Sequence, residues 1–265
     1  MAKTFNNLSD IIKNTASRKT NAARNRNSGS SDIVEKPREV YLRFCEQIGN
    51  YYSDKGFKYL KSGPVLKKQS ADKEWTLNIG FWSDYNNVGG EYVRLSFGNY
   101  IESSTLKKWT KSQSIFAHVP NGNVGGISTA KYVDPNANSA LLWNLAQESE
   151  REIAFNEVTS LINNVVIPDF ERFKNPKDLL SGYSNSKEWT SIETPMKYLL
   201  CFGTKEMAII AGRQFLKSRP NLVDSYKIEL EKLNKIPPPT YYVGGGYASE
   251  LARFSYEYDL GDLSI

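Results

Sequence analysis

At 265 residues, 40% hydrophobic and 24% charged, the chain is long enough for one large domain or two ordinary ones and too apolar to be disordered throughout. Its net charge of +5 has one source: residues 1–31 hold six bases and one acid, and taking these from totals of 34 and 29 leaves 28 of each. That balance argues against a generally basic binding surface on the body, and no apolar run approaches the roughly 18 residues of a membrane span.

The two cysteines, Cys45 and Cys201, lie far apart in apolar helical contexts. No disulfide framework is expected, and a reducing, cytoplasmic setting fits them best. The N-terminus lacks the continuous apolar core of a secretory signal.

In chain order, the first element is a basic tail with little to bury. Phe5, Leu8, Ile11 and Ile12 fall on one helical face, which suits a short docking helix, whereas 15–31 has no periodicity and reads as a flexible linker. A solvated tail and an organellar transit peptide are the two other readings. Over 39–52, Val40, Phe44, Ile48 and Tyr51 or Tyr52 mark an amphipathic helix, with Gly56 available for a left-handed C-cap. Period-two alternation then predicts strands over 75–82 and 92–102, joined through the glycine-bearing loop 86–90. Shorter strands are expected over 65–69, 115–119 and 126–133.

After Asp134-Pro135 the spacing becomes helical. A helix is expected over 139–166 with a break near Ser149, and Asn175-Pro176 and Thr194-Pro195 each supply a start signal. Segments 205–216 and 220–233 suggest a helical hairpin; Pro237-Pro238-Pro239 is an extended spacer, and 248–258 a last helix. The expected fold class is α+β: an antiparallel sheet with an N-terminal helix, followed by a mostly helical C-terminal region, with a flexible basic N-terminal tail. The divisions fall at 1–36, 37–135 and 136–265.

The hairpin strands carry the most informative surface. Opposite their core-facing residues stand Trp82, Tyr92, Arg94 and Tyr100, and Lys107, Lys108 and Trp109 follow at once, with Lys111 close behind. Rings beside basic side chains suit a protein partner, since Tyr, Trp and Arg dominate interface hot spots. They also suit stacked bases and phosphates, or they lie under a helix as an ordinary second sheet face. The neutral body demotes nucleic acid.

Other candidates are weaker. His118 is the one histidine, so the residues for most zinc sites are missing and no metal or cofactor is expected. A Cys45–His118 nucleophile pair meets the objection that Cys45 sits at a core position. Gly244-Gly245-Gly246 lacks the Lys-Ser/Thr of a P-loop, and Glu148, Glu150 and Glu152 fall on different helix faces. The chain's acidic end, with Glu250, Glu257, Asp259 and Asp262, mirrors the basic tail and would allow self-association.

The stretch 41–133 resembles a family of uncharacterised bacterial domains. Gly56-Phe57-Lys58 follows a helix as it does there, and Trp75-Thr76-Leu77-Asn78-Ile79-Gly80-Phe81 and Val93-Arg94-Leu95-Ser96-Phe97-Gly98 stand for its apolar strands. The glutamine typical of the family's central strand is missing. Some of these relatives are immunity- or defence-associated, so the resemblance implies a binding role and brings no catalytic residues. The expected function is therefore a non-catalytic interaction protein. The alternatives are nucleic-acid binding through the tail and 107–111, or a hydrolase whose site has no visible constellation.

Overall fold

The computed structural model describes residues 35–113, 122–126, 129–134, 139–183, 192–236 and 246–264. The expected docking face (Phe5, Leu8, Ile11, Ile12), the strand expected over 115–119, His118 and the spacer 237–239 lie outside the described residues.

The fold is α+β, an antiparallel sheet preceded by a helix and followed by a mostly helical region. Helix α1 (Pro37–Ser53) begins on a proline and buries Val40, Tyr41, Phe44, Cys45, Ile48 and Tyr52. It ends at Ser53 with Asp54 as its C-cap, and Gly56, two residues on, has the left-handed φ of 77° expected of it. Strands β1 (Phe57–Leu60), β2 (Val65–Gln69), β3 (Trp75–Trp82), β4 (Arg94–Ser103) and β5 (Asn123–Gly125) are hydrogen-bonded in that order, and β6 (Trp143–Asn144) pairs with β4. The register of β4 on β5 shifts between Ile101 and Glu102.

Contacts divide the chain into two compact units. Of the described residues, the first takes those within 1–67, 79–99 and 127–167, and the second those within 68–78, 100–126 and 168–265. Strands β3 and β4 run from one into the other.

In the first unit, α1 packs on β1 and on α4 (Glu148–Leu161). A Cβ on Gly49 would stand 2.6 Å from Cγ of Tyr59, so only glycine permits the approach of α1 to that strand. Helix α4 continues through a π turn (Ile162–Val166) into α5 (Ile167–Arg172). Pro168 has no N–H to donate into this ladder, and Ile167 N–H reaches five residues back to Ile162.

In the second unit, Ser103 caps α2 (Ser104–Ser112) by accepting from Leu106 N–H at 2.8 Å. Helix α6 (Pro176–Tyr183) starts as expected, with Asn175 Oδ1 accepting from Lys177 N–H at 3.0 Å. Helices α7 (Glu193–Phe202) and α8 (Lys205–Ser218) pack together. A 3-10 turn (Pro220–Leu222) leads into α9 (Val223–Lys235), which packs chiefly on α10 (Gly246–Glu257).

Four expectations need correcting. The strand expected over 126–133 lies earlier, at β5, because Gly125 (φ 107°) ends it, and Thr129–Val133 forms the short helix α3. The chain at 139–147 is not helical; β6 pairs there with β4, and the helix begins at Glu148, beside the expected break. Helix α2 was not expected. The pairing of 205–216 with 220–233 gives way to α9 on α10.

Candidate functional site

The loop joining β3 to β4 belongs wholly to the first unit, and its own side chains fix its shape. Ser83 Oγ donates to Arg94 O at 2.5 Å, Asn87 Nδ2 donates to Ser83 Oγ at 2.8 Å, and Arg94 N–H donates to Asn87 Oδ1 at 2.9 Å. The Arg94 guanidinium pairs with Asp84 at 2.8 Å. Asp84 also accepts from Asn86 N–H at 3.1 Å, and this bond and Arg94 hold its carboxyl below the usual range. Val88 and Tyr92 exchange backbone hydrogen bonds at 2.7 and 2.8 Å, closing the turn through Gly90, whose φ is 75°.

The segment before α4 ties the loop down from its other side. Asn144 accepts from Val93 N–H at 2.9 Å and donates to Glu91 O at 3.2 Å; Gln147 donates to Gly90 O at 2.8 Å. Ser83, Asp84, Asn87 and Arg94 thus hold the loop from within, and Asn144 and Gln147 from outside. Exposed here are Trp82 at 43%, Tyr85 at 94%, Val88 at 49% and Tyr92 at 37%, beside the polar Asn86 and Glu91. Trp82 lies across the sheet, with Cη2 only 2.8 Å from where a Cβ on Gly98 would stand.

The seven residues picked from sequence thus divide. Trp82, Tyr92 and Arg94 come together at this hairpin, with Arg94 as the loop's internal clamp rather than an outward-facing base. Tyr100, Lys107, Lys108 and Trp109 belong to the second unit. There Tyr100 is exposed, as are Lys107 and Lys108 on α2, while one face of Trp109 is stacked on Tyr258 with centroids 5.9 Å apart. Tyr85 and Val88 were not among the sequence candidates, because a glycine- and asparagine-rich loop has no periodicity to betray which residues face out.

Both cysteine thiols are held in the protonated form. Burial pushes the Cys45 thiol up to about 12 and the Cys201 thiol up to about 11. Among the described residues no group of three or more His, Cys, Asp or Glu could hold a metal ion. In the second unit Lys197 pairs with Glu193, Arg172 with the buried Asp169 at 3.2 Å, and Arg253 with Glu257 at 3.6 Å. Each pair lies within a single helix and ties it along its own length. Among the described residues no helix is long and apolar enough to cross a membrane.

Comparison with known proteins finds no family model, no curated protein and no solved structure that matches this chain.

Proposed function

We propose that this is a non-catalytic interaction protein that engages a protein partner through the β3–β4 hairpin. The supporting observation is the combination of four outward apolar side chains with a loop already fixed by its own hydrogen bonds. Ordering an interface side chain costs about 0.5–1.5 kcal/mol on binding, and a loop held in advance avoids much of that cost. Tyr and Trp on such a platform have the composition of hot spots. A cytoplasmic setting and a place in bacterial immunity or defence belong to the same proposal, the latter resting on the family resemblance of 41–133 alone.

The test is affinity capture from the native host with the intact chain and with Trp82→Ala, Tyr85→Ala and Tyr92→Ala. A stoichiometric partner retained by the first and lost by the variants, each with an unchanged melting temperature, is the expected result. Capture that ignores all three substitutions removes the reading.

A further inference from the structure

Glu35 is the first described residue, and its bonds lead to the β3–β4 hairpin. Its carboxylate pairs with Arg43 at 2.6 Å and with Arg151 at 3.1 Å. The Arg151 guanidinium also donates to Leu145 O at 2.8 Å and to Ala146 O at 3.1 Å. Leu145 N–H in turn donates to Val93 O at 2.7 Å, and Val93 follows Tyr92. Residues 1–34 thus join the body two bonded residues, Arg151 and Leu145, away from the hairpin, all within the first unit.

The hairpin patch and the tail match in kind. Trp82, Tyr85, Val88 and Tyr92 are exposed together on one loop, whereas Tyr51, Tyr132 and Ile153, also exposed in this unit, are scattered along the chain. Tyr51 moreover carries Lys55 Nζ 3.3 Å above its ring. The tail offers Phe5, Leu8 and Ile12 at the i, i+3, i+7 spacing of a helix that lays one face on an apolar surface. A helix that short is marginal in water by itself and needs such a surface. Charges match too. Lys3 and Lys13 flank the stripe, and two exposed acids border the patch: Glu91 precedes Tyr92, and Glu148 follows Gln147, whose amide holds Gly90 O.

Reach sets no limit, because the stretch from Ile12 to Glu35 can extend to about 80 Å. Tethering also makes docking intramolecular, with an effective concentration up to about millimolar, so a contact too weak to hold separate molecules together suffices within one. We propose that the Phe5–Leu8–Ile12 stripe docks on the Trp82–Tyr85–Val88–Tyr92 patch of its own chain and covers it until a partner displaces it. This regulates the interaction surface of the proposed function and rests on that reading.

The test compares the full chain with a full-length double variant, Leu8→Glu with Ile12→Glu. Trp82 emission is isolated in each as the difference from the same protein carrying Trp82→Phe, and is quenched with acrylamide, a neutral probe. The quenching constant should rise at least about twofold in the double variant, the change for a ring covered in half of the molecules or more. Emission should move to the red. Reciprocally, Tyr85→Ala with Tyr92→Ala should speed trypsin cleavage after Lys13, because coupling between two contacting surfaces runs both ways. Both effects should survive dilution, as an intramolecular contact requires. Shielding lost on dilution would give the patch to the tail of a second copy and overturn the inference. Equal quenching of parent and double variant, or cleavage indifferent to the hairpin substitutions, overturns it as well. Partner capture that still depended on Trp82, Tyr85 and Tyr92 would then leave the proposed function standing without the docked tail. Shielding that persists while capture ignores all three substitutions would remove the proposed function alone.

Discussion

The indole N–H of Trp143 donates to the Glu157 carboxylate at 2.7 Å, both residues buried in the first unit. The same ring stacks on Phe97 with centroids 5.8 Å apart, so one side chain closes the sheet face and supports a carboxylate that would otherwise lose a donor. Trp143→Phe keeps most of the ring contact and removes the donor. It should lower the unfolding free energy by about 1.5–3 kcal/mol, the scale for a hydrogen bond to a buried charge. Denaturant titration measures this. Glu157→Gln, which keeps an acceptor, should cost less.

Glu74 does for α2 what no residue inside that helix can do. Its carboxylate accepts from the hydroxyls of Ser103, Ser104 and Thr105 and from Thr105 N–H at 3.0 Å. Burial works against its ionised form, yet these bonds outweigh it and hold its carboxyl below the ordinary range. A lowered value in the folded state means stability that is present above the unfolded-state value and is lost as pH falls through the folded one. Glu74→Gln should therefore destabilise by about 1 kcal/mol at neutral pH, as loss of a cap does. The variant and the parent should converge in acid. A pH series of melting curves for both proteins checks the sign.

How much of this was legible depended on which force set each element. Strand β3 was readable over its whole length because Trp75, Leu77, Ile79 and Phe81 alternate into a core. Helix α1 was readable from its apolar stripe, and its end from Gly56. Helix α2 was hidden because Leu106 and Thr110 are all it buries, and a stripe that thin does not stand out. Leu142 and Leu145 imitate helical spacing, yet Trp143 and Asn144 join β4, so pairing won over local pattern. At the site, Trp82 was visible and Tyr85 was not. Asn78 reads as an outward strand residue from sequence, and only tertiary packing shows that it is buried.

Residues 260–264 should prove tightly held, and Tyr226 is the reason. Its hydroxyl bonds Ser255 Oγ at 2.9 Å and Gly261 O at 3.3 Å, and accepts from Leu263 N–H at 3.0 Å. Leu260 and Leu263 are buried, and a Cβ on Gly212 would meet Leu263 Cδ1 at 2.6 Å. Tyr226→Phe should cost about 1–3 kcal/mol, because buried groups lose their partner with no water to replace it. Hydrogen exchange at Leu263 N–H should accelerate more than exchange in the middle of α8. Equal acceleration everywhere would mean that the hydroxyl supports the whole unit rather than its terminus.

Gly98 is the lever on the proposed interface. The Trp82 ring occupies the space that any side chain on Gly98 would need, and that ring is half exposed, so it can swing away instead of straining β4. Gly98→Ala should therefore change stability by less than about 1 kcal/mol while dislodging the indole into water. Trp82 fluorescence, taken as the difference from Trp82→Phe in each background, should shift to the red and quench more readily with iodide. Partner binding should weaken in parallel, because a displaced anchor must be reordered on association. A full-strength interaction with a displaced Trp82 would leave Tyr85, Val88 and Tyr92 as the residues that carry the contact.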